Sequence, residues 1–338
     1  MVRSRNCHPE HSRFIKIQLL EERNSFLEGN NNVFNITKFA VFLNLMTNYH
    51  ISNLEFEKYH GLGNDYIIIN NLKYKIPEAI LSQLAKMLCK SHFSIGADGL
   101  LLVFESQNAD IRMKIFNNDG TESEMCGNGI RCFSKYIYEH NIVKKEDIKI
   151  ETLKGIIIAK LRINNDTVSA VQINMGRPIL DCEEIPVEVD GYPQQCINEK
   201  IVILDKVFNF SAVSMGNPHA VIFTKNLISD TNLNKYGANI ESDPHFPRKT
   251  NVEFVQVISN QEAYVRVFER GVGITNSCGT GSCAAVVAGV ILGIFKKKEP
   301  IRVHNDGGDL TILYDGKEVF MEGPAIKVFT GYIEKLVI

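Results

Sequence analysis

The 338-residue sequence lacks any apolar run long enough to span a bilayer. A membrane-spanning helix needs roughly 18 or more consecutive apolar residues. The longest apolar stretch, from Cys283 to Phe295, is shorter than this and is interrupted by Gly289 and Gly293. We therefore interpret this stretch as a buried core helix and expect no interaction with a membrane.

An excess of charge of either sign is also missing, because 37 Lys and Arg residues face 39 Asp and Glu residues. The one basic run, Lys296 to Lys298, is short and is typical of a solvated helix end. These features argue against a nucleic-acid partner. A hydrophobic content of 44% and a charged content of 22% are those of a globular protein, and the length suffices for two domains.

Cys-x-x-Cys pairs and a secretory start are absent, although the chain contains eight cysteines. Cysteines scattered in this way argue against a disulfide framework and favour a reducing, cytoplasmic compartment. Residues 1–53 mix charges, asparagines and a short apolar patch. We expect them to form a poorly ordered N-terminal extension, and Met46 is an alternative start of the protein.

Two cysteines, Cys126 and Cys278, lie in nearly the same glycine-rich motif, called here the cysteine phrase. The two copies are Met125 to Gly129 and Ser277 to Gly281. Each phrase leads into a helix-like stretch, where unpaired backbone N–H groups and the helix dipole favour a thiolate. The glycines allow another group to approach that backbone closely. Two such sites facing each other could remove a proton from one face of a carbon and return it to the other.

Short strand-like runs dominate from Leu54 onward, and each half of the chain has one long helix that follows its cysteine phrase. The predicted long helices are 129–140 and 282–296, and the second is apolar on nearly all sides, so it must be wrapped. Two further helices are expected at 77–91 and, more weakly, at 231–237.

The predicted fold is α+β, with two pseudo-symmetric domains. Each is a curved, mostly antiparallel sheet wrapped around a central helix, and the active site lies in the cleft between them. We expect one domain to comprise residues 54–173 plus 324–338 and the other residues 174–323.

A set of sequence motifs in a fixed order carries a family resemblance. The motifs run His60 to Tyr66, Gly96 to Gly99, the segment around Asn117 and Cys126, Met215 to His219, Thr250 to Val252, Glu269 to Gly271, and the segment around Cys278. From about Phe56 to the C-terminus the chain resembles the diaminopimelate epimerase family. Its members interconvert LL- and meso-diaminopimelate without a cofactor, for lysine and peptidoglycan precursor biosynthesis.

The resemblance implies a role for each matching residue. Cys126 and Cys278 would be the two proton-transferring residues, and His219 and Glu269 would assist them. Backbone N–H groups at the two helix starts would bind the α-carboxylate. Arg270 suits the distal carboxylate, because a guanidinium binds a carboxylate through two parallel hydrogen bonds. The full set of implied substrate-binding residues is Asn64, Asn117, Gly127, Asn128, Asn217, Asn251, Glu269, Arg270, Gly279 and Thr280.

Family members are generally dimeric, so a homodimer is expected, and neither a cofactor nor a metal is expected. Cys132 and Cys283 lie about 240° and 140° around a helix from their partner thiols, which favours core packing over zinc ligation. Because two thiols flanking one carbon must be close, an oxidised preparation could pair Cys126 with Cys278. One departure from the family concerns Gly99, where some members have a glutamine that could contact substrate.

Three alternatives remain open. A proline or hydroxyproline racemase would share the two-cysteine logic, but its first phrase typically reads Cys-Gly-His, whereas Asn128 follows Gly127 here. Such an enzyme would also have no use for Arg270. A thiol redox or metal-binding protein is a more remote alternative. A non-catalytic binding scaffold is disfavoured by the presence of both thiols.

Overall fold

The computed structural model describes residues 49–191 and 193–338. A first series of strands comprises β1 (His50–Gly61), β2 (Asn64–Ile69), β3 (Gly99–Phe104), β4 (Ile111–Asn117), β5 (Asp147–Thr152), β6 (Gly155–Asn164) and β7 (Thr167–Gly176). A second series comprises β8 (Glu199–Ile203), β9 (Lys206–Ser214), β10 (Pro218–Thr224), β11 (Asn251–Ser259), β12 (Glu262–Glu269), β13 (Gly273–Thr275), β14 (Pro300–Asn305), β15 (Gly308–Tyr314) and β16 (Val319–Gly323). The last strand, β17 (Ile326–Val337), pairs with β1.

The described helices are α1 (Asn71–Tyr74), α2 (Leu81–Leu88), α3 (Gly127–Glu139), α4 (Asp230–Glu241) and α5 (Gly279–Ile291). A 3₁₀ turn, Glu78–Ile80, precedes α2 and takes up the proline-led start of the predicted 77–91 helix. None of these helices combines the length and the apolar character that a membrane crossing needs.

The two series of strands repeat one pairing scheme. In the first, β1 to β7 pair in chain order as antiparallel, parallel, antiparallel, parallel, antiparallel and antiparallel neighbours. In the second, β9, β10, β11, β12, β14, β15 and β16 pair in the same sequence of directions. The duplication hinted at by the cysteine phrases therefore extends to the backbone topology, which confirms the predicted fold class.

The two halves are joined edge to edge, because β7 pairs antiparallel with β16, the last strand of the second scheme. We use "first half" for residues 52–176 and "second half" for residues 199–323. The predicted domain boundary at residue 174 falls near the C-terminal end of β7. The division into two domains stays a prediction, since Ser52–Leu336 cluster as one compact unit.

Each long helix lies at the centre of its half. Eleven consecutive residues of α3, Asn128 to Tyr138, are buried, and so are nine of α5, Gly281 to Gly289. Burial on every side means that the strands surround both helices, as the apolar composition of α5 predicts. Both helices belong to one hydrophobic core, to which Cys132 and Cys283 contribute fully buried side chains.

The starts and ends of the long helices differ from the predicted bounds. Both begin two or three residues earlier than expected, so that Cys126 and Cys278 are the N-cap residues themselves. The second helix ends at Ile291 instead of residue 296. Gly293 has a φ of 73°, and a residue in this left-handed conformation is a common helix terminator.

The N-terminal extension ends earlier than expected. Residues 50–53, which we assigned to it, form the start of β1, and residues 1–48 lie outside the described residues. A second, small compact unit includes Tyr49 and Ile338, whose backbones exchange two hydrogen bonds of 3.0 Å.

One cysteine pair also departs from expectation. A disulfide joins Cys182 and Cys196, whose Cα atoms are 5.7 Å apart, in the segment between β7 and β8. The spacing of the cysteines did not predict this disulfide. An isolated β-bridge between Asp181 and Gln195, the residues that precede the two cysteines, brings Cys182 and Cys196 together.

Candidate active site

A cleft of about 770 Å³ contains both cysteines of the repeated phrases. Cys126 ends the loop before α3, and Cys278 ends the loop before α5. Both have extended backbone angles that are typical of an N-cap residue, with φ of −139° and −118°. Both thiols therefore lie at the positive end of a helix dipole and on the wall of the same cleft.

The thiol of Cys126 is partly exposed and contacts the first half. Its Sγ lies 2.9 Å from the hydroxyl oxygen of Tyr66 and 3.8 Å from Oδ1 of Asn64. It makes no capping hydrogen bond to its own helix. The side chain is thus turned away from the backbone N–H groups of α3 and towards β2.

The thiol of Cys278 is buried and has a different environment. Its Sγ accepts a hydrogen bond of 3.4 Å from the backbone N–H of Gly281 and lies 3.4 Å from Oγ1 of Thr280. Burial raises the pKa of Cys278 well above its ordinary value, and the nearby carboxylates of Glu269 and Glu253 raise it further. The surroundings of Cys278 therefore favour the protonated thiol.

The glycines after the cysteines leave space at the two helix starts for the side chain of Met321. A Cβ atom built on Gly127 would lie 2.6 Å from Cε of Met321, and one on Gly279 would lie 3.0 Å from Sδ of the same methionine. The ideal Cβ of Gly279 would also lie 3.9 Å from Oδ1 of Asn128. Both helix N-termini thus meet at one point of the cleft, which suits the binding of a single carboxylate.

The polar wall of the first half is held by a chain of hydrogen bonds. Asn64 donates through Nδ2 to Asp98 at 2.7 Å, so its Oδ1 faces the cleft. That oxygen accepts from Nδ2 of Asn128 at 3.3 Å, and Asn128 in turn accepts from the guanidinium of Arg131 at 2.8 Å. Asn117, at the end of β4, donates to Thr121 and also lines the cleft.

The polar wall of the second half depends on a buried pair. His219 and Glu253 are both fully buried, with Nδ1 and Oε1 2.8 Å apart. The other ring nitrogen of His219 lies 3.0 Å from Oδ1 of Asn217, which lines the cleft. His219 itself does not line the cleft and contacts it through Asn217.

Glu269 does line the cleft and accepts a hydrogen bond from Thr275. Burial raises the pKa of this carboxyl group above its ordinary value.

Most of the predicted site residues come together, but three, His219, Asn251 and Arg270, do not line the cleft. The residues that line the cleft are Asn64, Asn117, Cys126, Gly127, Asn128, Asn217, Glu269, Cys278, Gly279 and Thr280. Asn251 is buried and binds backbone groups, donating to the carbonyl of Pro218 and accepting from the N–H of Arg270. The side chain of Arg270 is exposed and donates to the carbonyl of Arg248 at 3.3 Å, outside the cleft.

Sequence reasoning missed four residues with evident roles near the site. They are Tyr66, Asp98, Arg131 and Glu253. Tyr66 and Glu253 could have been found from strand alternation, because they stand two residues after Asn64 and Asn251 and share their faces.

Cys132 and Cys283 face the core, where burial raises the pKa of both thiols to about 12. Among the described residues, no group of three or more His, Cys, Asp or Glu side chains is arranged to hold a metal ion.

Comparison with known proteins finds close relatives along most of the chain. The sequence model of the diaminopimelate epimerase family matches residues 56–180 and 211–328. The diaminopimelate epimerase of Halothermothrix orenii is 48% identical over 282 residues, covering 83% of this chain and 98% of that protein. The diaminopimelate epimerase of Bacillus subtilis is 44% identical over 282 residues, covering 83% of this chain and 99% of that protein.

Solved structures with low sequence identity share the fold. A PhzF-family phenazine biosynthesis protein of Bacillus anthracis superposes with a TM-score of 0.63 at 18% identity, covering 84% of this chain and 99% of that one. A hydroxyproline epimerase of Agrobacterium vitis superposes with a TM-score of 0.61 at 12% identity, covering 85% and 93%.

Proposed function

Because this chain belongs to the diaminopimelate epimerase family and is an amino-acid epimerase, we propose that it interconverts LL- and meso-diaminopimelate. The observation that supports this most directly is the pair of N-cap cysteines on one cleft. The reaction needs no cofactor in this proposal, and it supplies a precursor for lysine and peptidoglycan.

The proposed chemistry is a two-base proton transfer. One thiolate removes the α-proton, so the C–H bond breaks, an S–H bond forms and the electron pair stays on carbon. The opposite thiol then gives its proton to the other face of that carbon and becomes a thiolate. Cys126 and Cys278 exchange these two roles when the reaction runs in the opposite direction.

The carbanion must be stabilised by fixed electrostatics, because the α-proton of an amino acid is a very weak acid. The N–H groups at the starts of α3 and α5 converge at Gly127 and Gly279, near Met321. A carboxylate bound there would meet two helix dipoles as its negative charge grows. In other enzymes, removal of one donor of this kind costs about 3–4 kcal/mol of activation free energy.

Recognition of the distal amino acid group falls to the polar residues on the cleft wall. Asn64, Asn117, Asn217 and Glu269 are available there. Arg270 directly follows Glu269, and binding of the distal carboxylate would require its guanidinium to leave the 3.3 Å contact with Arg248 and turn towards the cleft.

The proposed reaction is tested by incubating the reduced protein with LL-diaminopimelate in deuterium oxide, without added cofactor. We expect deuterium at the α-carbon and formation of the meso isomer. Absence of exchange, or equal exchange with proline, would contradict the proposed substrate.

The two-base mechanism is tested separately by single substitutions. Cys126→Ala and Cys278→Ala should each abolish epimerisation, since each removes one of the two proton carriers. Cys89→Ala is a matched control, because Cys89 is buried beside α2 and does not line the cleft. Full activity in either of the first two variants would overturn the mechanism.

A further inference from the structure

Tyr66 is a cleft residue for which neither the repeated phrase nor the family resemblance predicts a role. It lies on β2, its side chain is 3% exposed, and its ring packs in the main core. Its hydroxyl oxygen is 2.9 Å from Sγ of Cys126 and donates to Oδ1 of Asn64. The hydroxyl group of Tyr66 is therefore the hydrogen-bond partner of the Cys126 thiol, in place of a backbone N–H group of α3.

The two thiols differ in what supports their negative charge. Cys278 accepts from the N–H of Gly281 in its own helix, whereas Cys126 accepts from no N–H group of its helix. A thiolate that is partly withdrawn from water is less favourable when it lacks a hydrogen-bond donor. Tyr66 is the hydroxyl donor within reach of Cys126 in the described part of the chain.

We propose that Tyr66 is the positioning residue of Cys126. Its hydroxyl group donates a hydrogen bond to the thiolate form of Cys126 and accepts one from the thiol form. This inference rests on the proposed two-cysteine reaction, in which Cys126 must change protonation state in every turnover.

The arrangement provides a hydrogen bond for each state. When Cys126 is a thiolate, the O–H of Tyr66 donates to sulfur. When Cys126 is a thiol, its S–H donates to the phenol oxygen, and the O–H of Tyr66 turns to Oδ1 of Asn64. Nδ2 of Asn64 donates to Asp98 at 2.7 Å, and this bond keeps Oδ1 of Asn64 directed towards Tyr66.

No proton leaves Tyr66 in this cycle; only the direction of its O–H bond changes. Burial raises the pKa of Tyr66 well above its ordinary value, and the nearby Cys126 raises it further. The proton that reaches Cys126 comes from the substrate carbon, and the proton that leaves it returns to the substrate.

Other groups also act on the charge of Cys126 and must be kept constant in a test. The charged and titratable groups around it are Asp65 and Tyr66 on β2, Asp98 before β3, Arg131 and Cys132 on α3, and Glu124, Lys154 and Cys278 on the cleft wall. Replacing Tyr66 by phenylalanine removes only the Tyr66 hydroxyl, leaves the other groups unchanged and keeps the buried ring.

The experiment measures alkylation of each thiol by iodoacetamide across pH, with the modified peptides quantified by mass spectrometry. The thiolate attacks the methylene carbon and iodide leaves, so the rate follows the thiolate fraction. A hydrogen bond to a charged group contributes about 1.5–3 kcal/mol, which is equivalent to one pH unit or more. In Tyr66→Phe, we expect the midpoint for Cys126 to move about one pH unit higher, while Cys278 in the same sample is unchanged.

Two further variants sharpen the result. Tyr264→Phe is the matched control, because its hydroxyl bonds Asp306 on an exposed surface and should leave both profiles unchanged. Site-specific 3-fluorotyrosine at Tyr66 is a stronger donor and should move the Cys126 midpoint to lower pH. An unchanged Cys126 profile in Tyr66→Phe, or an equal movement of both thiols, would overturn the proposal.

Epimerase kinetics provide the second readout. In Tyr66→Phe we expect kcat/KM at neutral pH to fall about tenfold, which is the effect of one such hydrogen bond. The alkylation profile is measured on the resting protein and needs no diaminopimelate. Failure of the proposed function would appear as absence of deuterium exchange with LL-diaminopimelate or as full activity of Cys126→Ala, whereas failure of this inference would appear in the alkylation profile.

Discussion

Arg131 gives the sharpest test of how the cleft obtains its electrostatic field. Its guanidinium is fully buried, and its hydrogen bonds in the described residues go to neutral groups. The partners are Oδ1 of Asn128 at 2.8 Å, the carbonyl of Pro324 at 3.1 Å and, more weakly, Sδ of Met321 at 3.9 Å. Burial lowers the pKa of the Arg131 guanidinium below its ordinary value, and the neighbouring side chains of Cys132 and Cys126 oppose that effect.

A buried cation costs several kcal/mol of desolvation. We predict that this cost is offset in function, because the charge orients Asn128 and attracts the substrate carboxylate at the helix starts. Two glycines leave room for the side chain of Arg131. A Cβ atom on Gly61 would lie 3.0 Å from its Nη2, and one on Gly323 would lie 3.2 Å from its Nε.

The perturbation is Arg131→Met, which keeps an unbranched side chain and removes the charge. Asn128 then loses its 2.8 Å bond and retains the 3.3 Å bond to Asn64. A hydrogen bond from a charged donor contributes about 1.5–3 kcal/mol. At about 1.4 kcal/mol per factor of ten, kcat/KM should fall roughly 10- to 150-fold.

The assay is steady-state epimerisation of LL-diaminopimelate, with circular dichroism and thermal unfolding to establish that the variant is folded. Arg131→Lys keeps the charge and should recover part of the loss. Arg302→Met is the matched control, because Arg302 forms an exposed pair with Asp309, and such pairs contribute little. A folded Arg131→Met with kcat/KM within threefold of the unmodified protein would refute the reasoning.

Two further predictions concern Cys278 and the disulfide. Glu269→Gln removes a negative charge that raises the pKa of Cys278, so the alkylation profile of this thiol should move to lower pH; movement to higher pH would contradict the assigned sign. Reduction of the Cys182–Cys196 disulfide, which spans 14 residues, should lower the free energy of unfolding in denaturant titrations by about 3 kcal/mol. The double alanine variant of these cysteines should be insensitive to reductant, and equal sensitivity would refute the assignment.

The strands were predictable from sequence where a buried strand has a regular side-chain pattern. The mostly apolar runs 99–104 and 111–117 predict strands, and β3 and β4 have these bounds in the structure. By contrast, the sequence pattern does not predict β8 or β17, because apolar residues on them face outwards. Val202 is 69% exposed and Val328 is 54% exposed, so the sequence of neither strand alternates between apolar and polar residues.

The candidate site was predictable where backbone chemistry determines it. The repeated glycine-rich motif before each long helix predicts that both cysteines lie near helix starts, and both lie on the cleft. Contacts that depend on long-range pairing were not predictable. Strand alternation places Glu253 on the same face as Asn251, but only the parallel pairing of β10 with β11 brings it to His219.

Asn251 and Arg270 are residues that the sequence predicts at the site but that do not line the cleft. Asn251 begins β11 and Arg270 directly follows β12, but the side chain of Asn251 is occupied by the carbonyl of Pro218 and the N–H of Arg270. A polar residue at a strand end can therefore serve the backbone as well as a ligand, and sequence order alone does not distinguish the two roles.

The repeated halves give the cleft two equivalent helix starts, yet the proposed reaction needs two thiols in opposite protonation states. Identical surroundings would give both cysteines the same protonation preference. Here the nearby carboxylates of Glu269 and Glu253 favour the protonated form of Cys278, whereas Cys126 contacts the hydroxyl group of Tyr66. The duplicated backbone thus supplies the opposed geometry, and single side chains outside the repeat make the surroundings of the two thiols different.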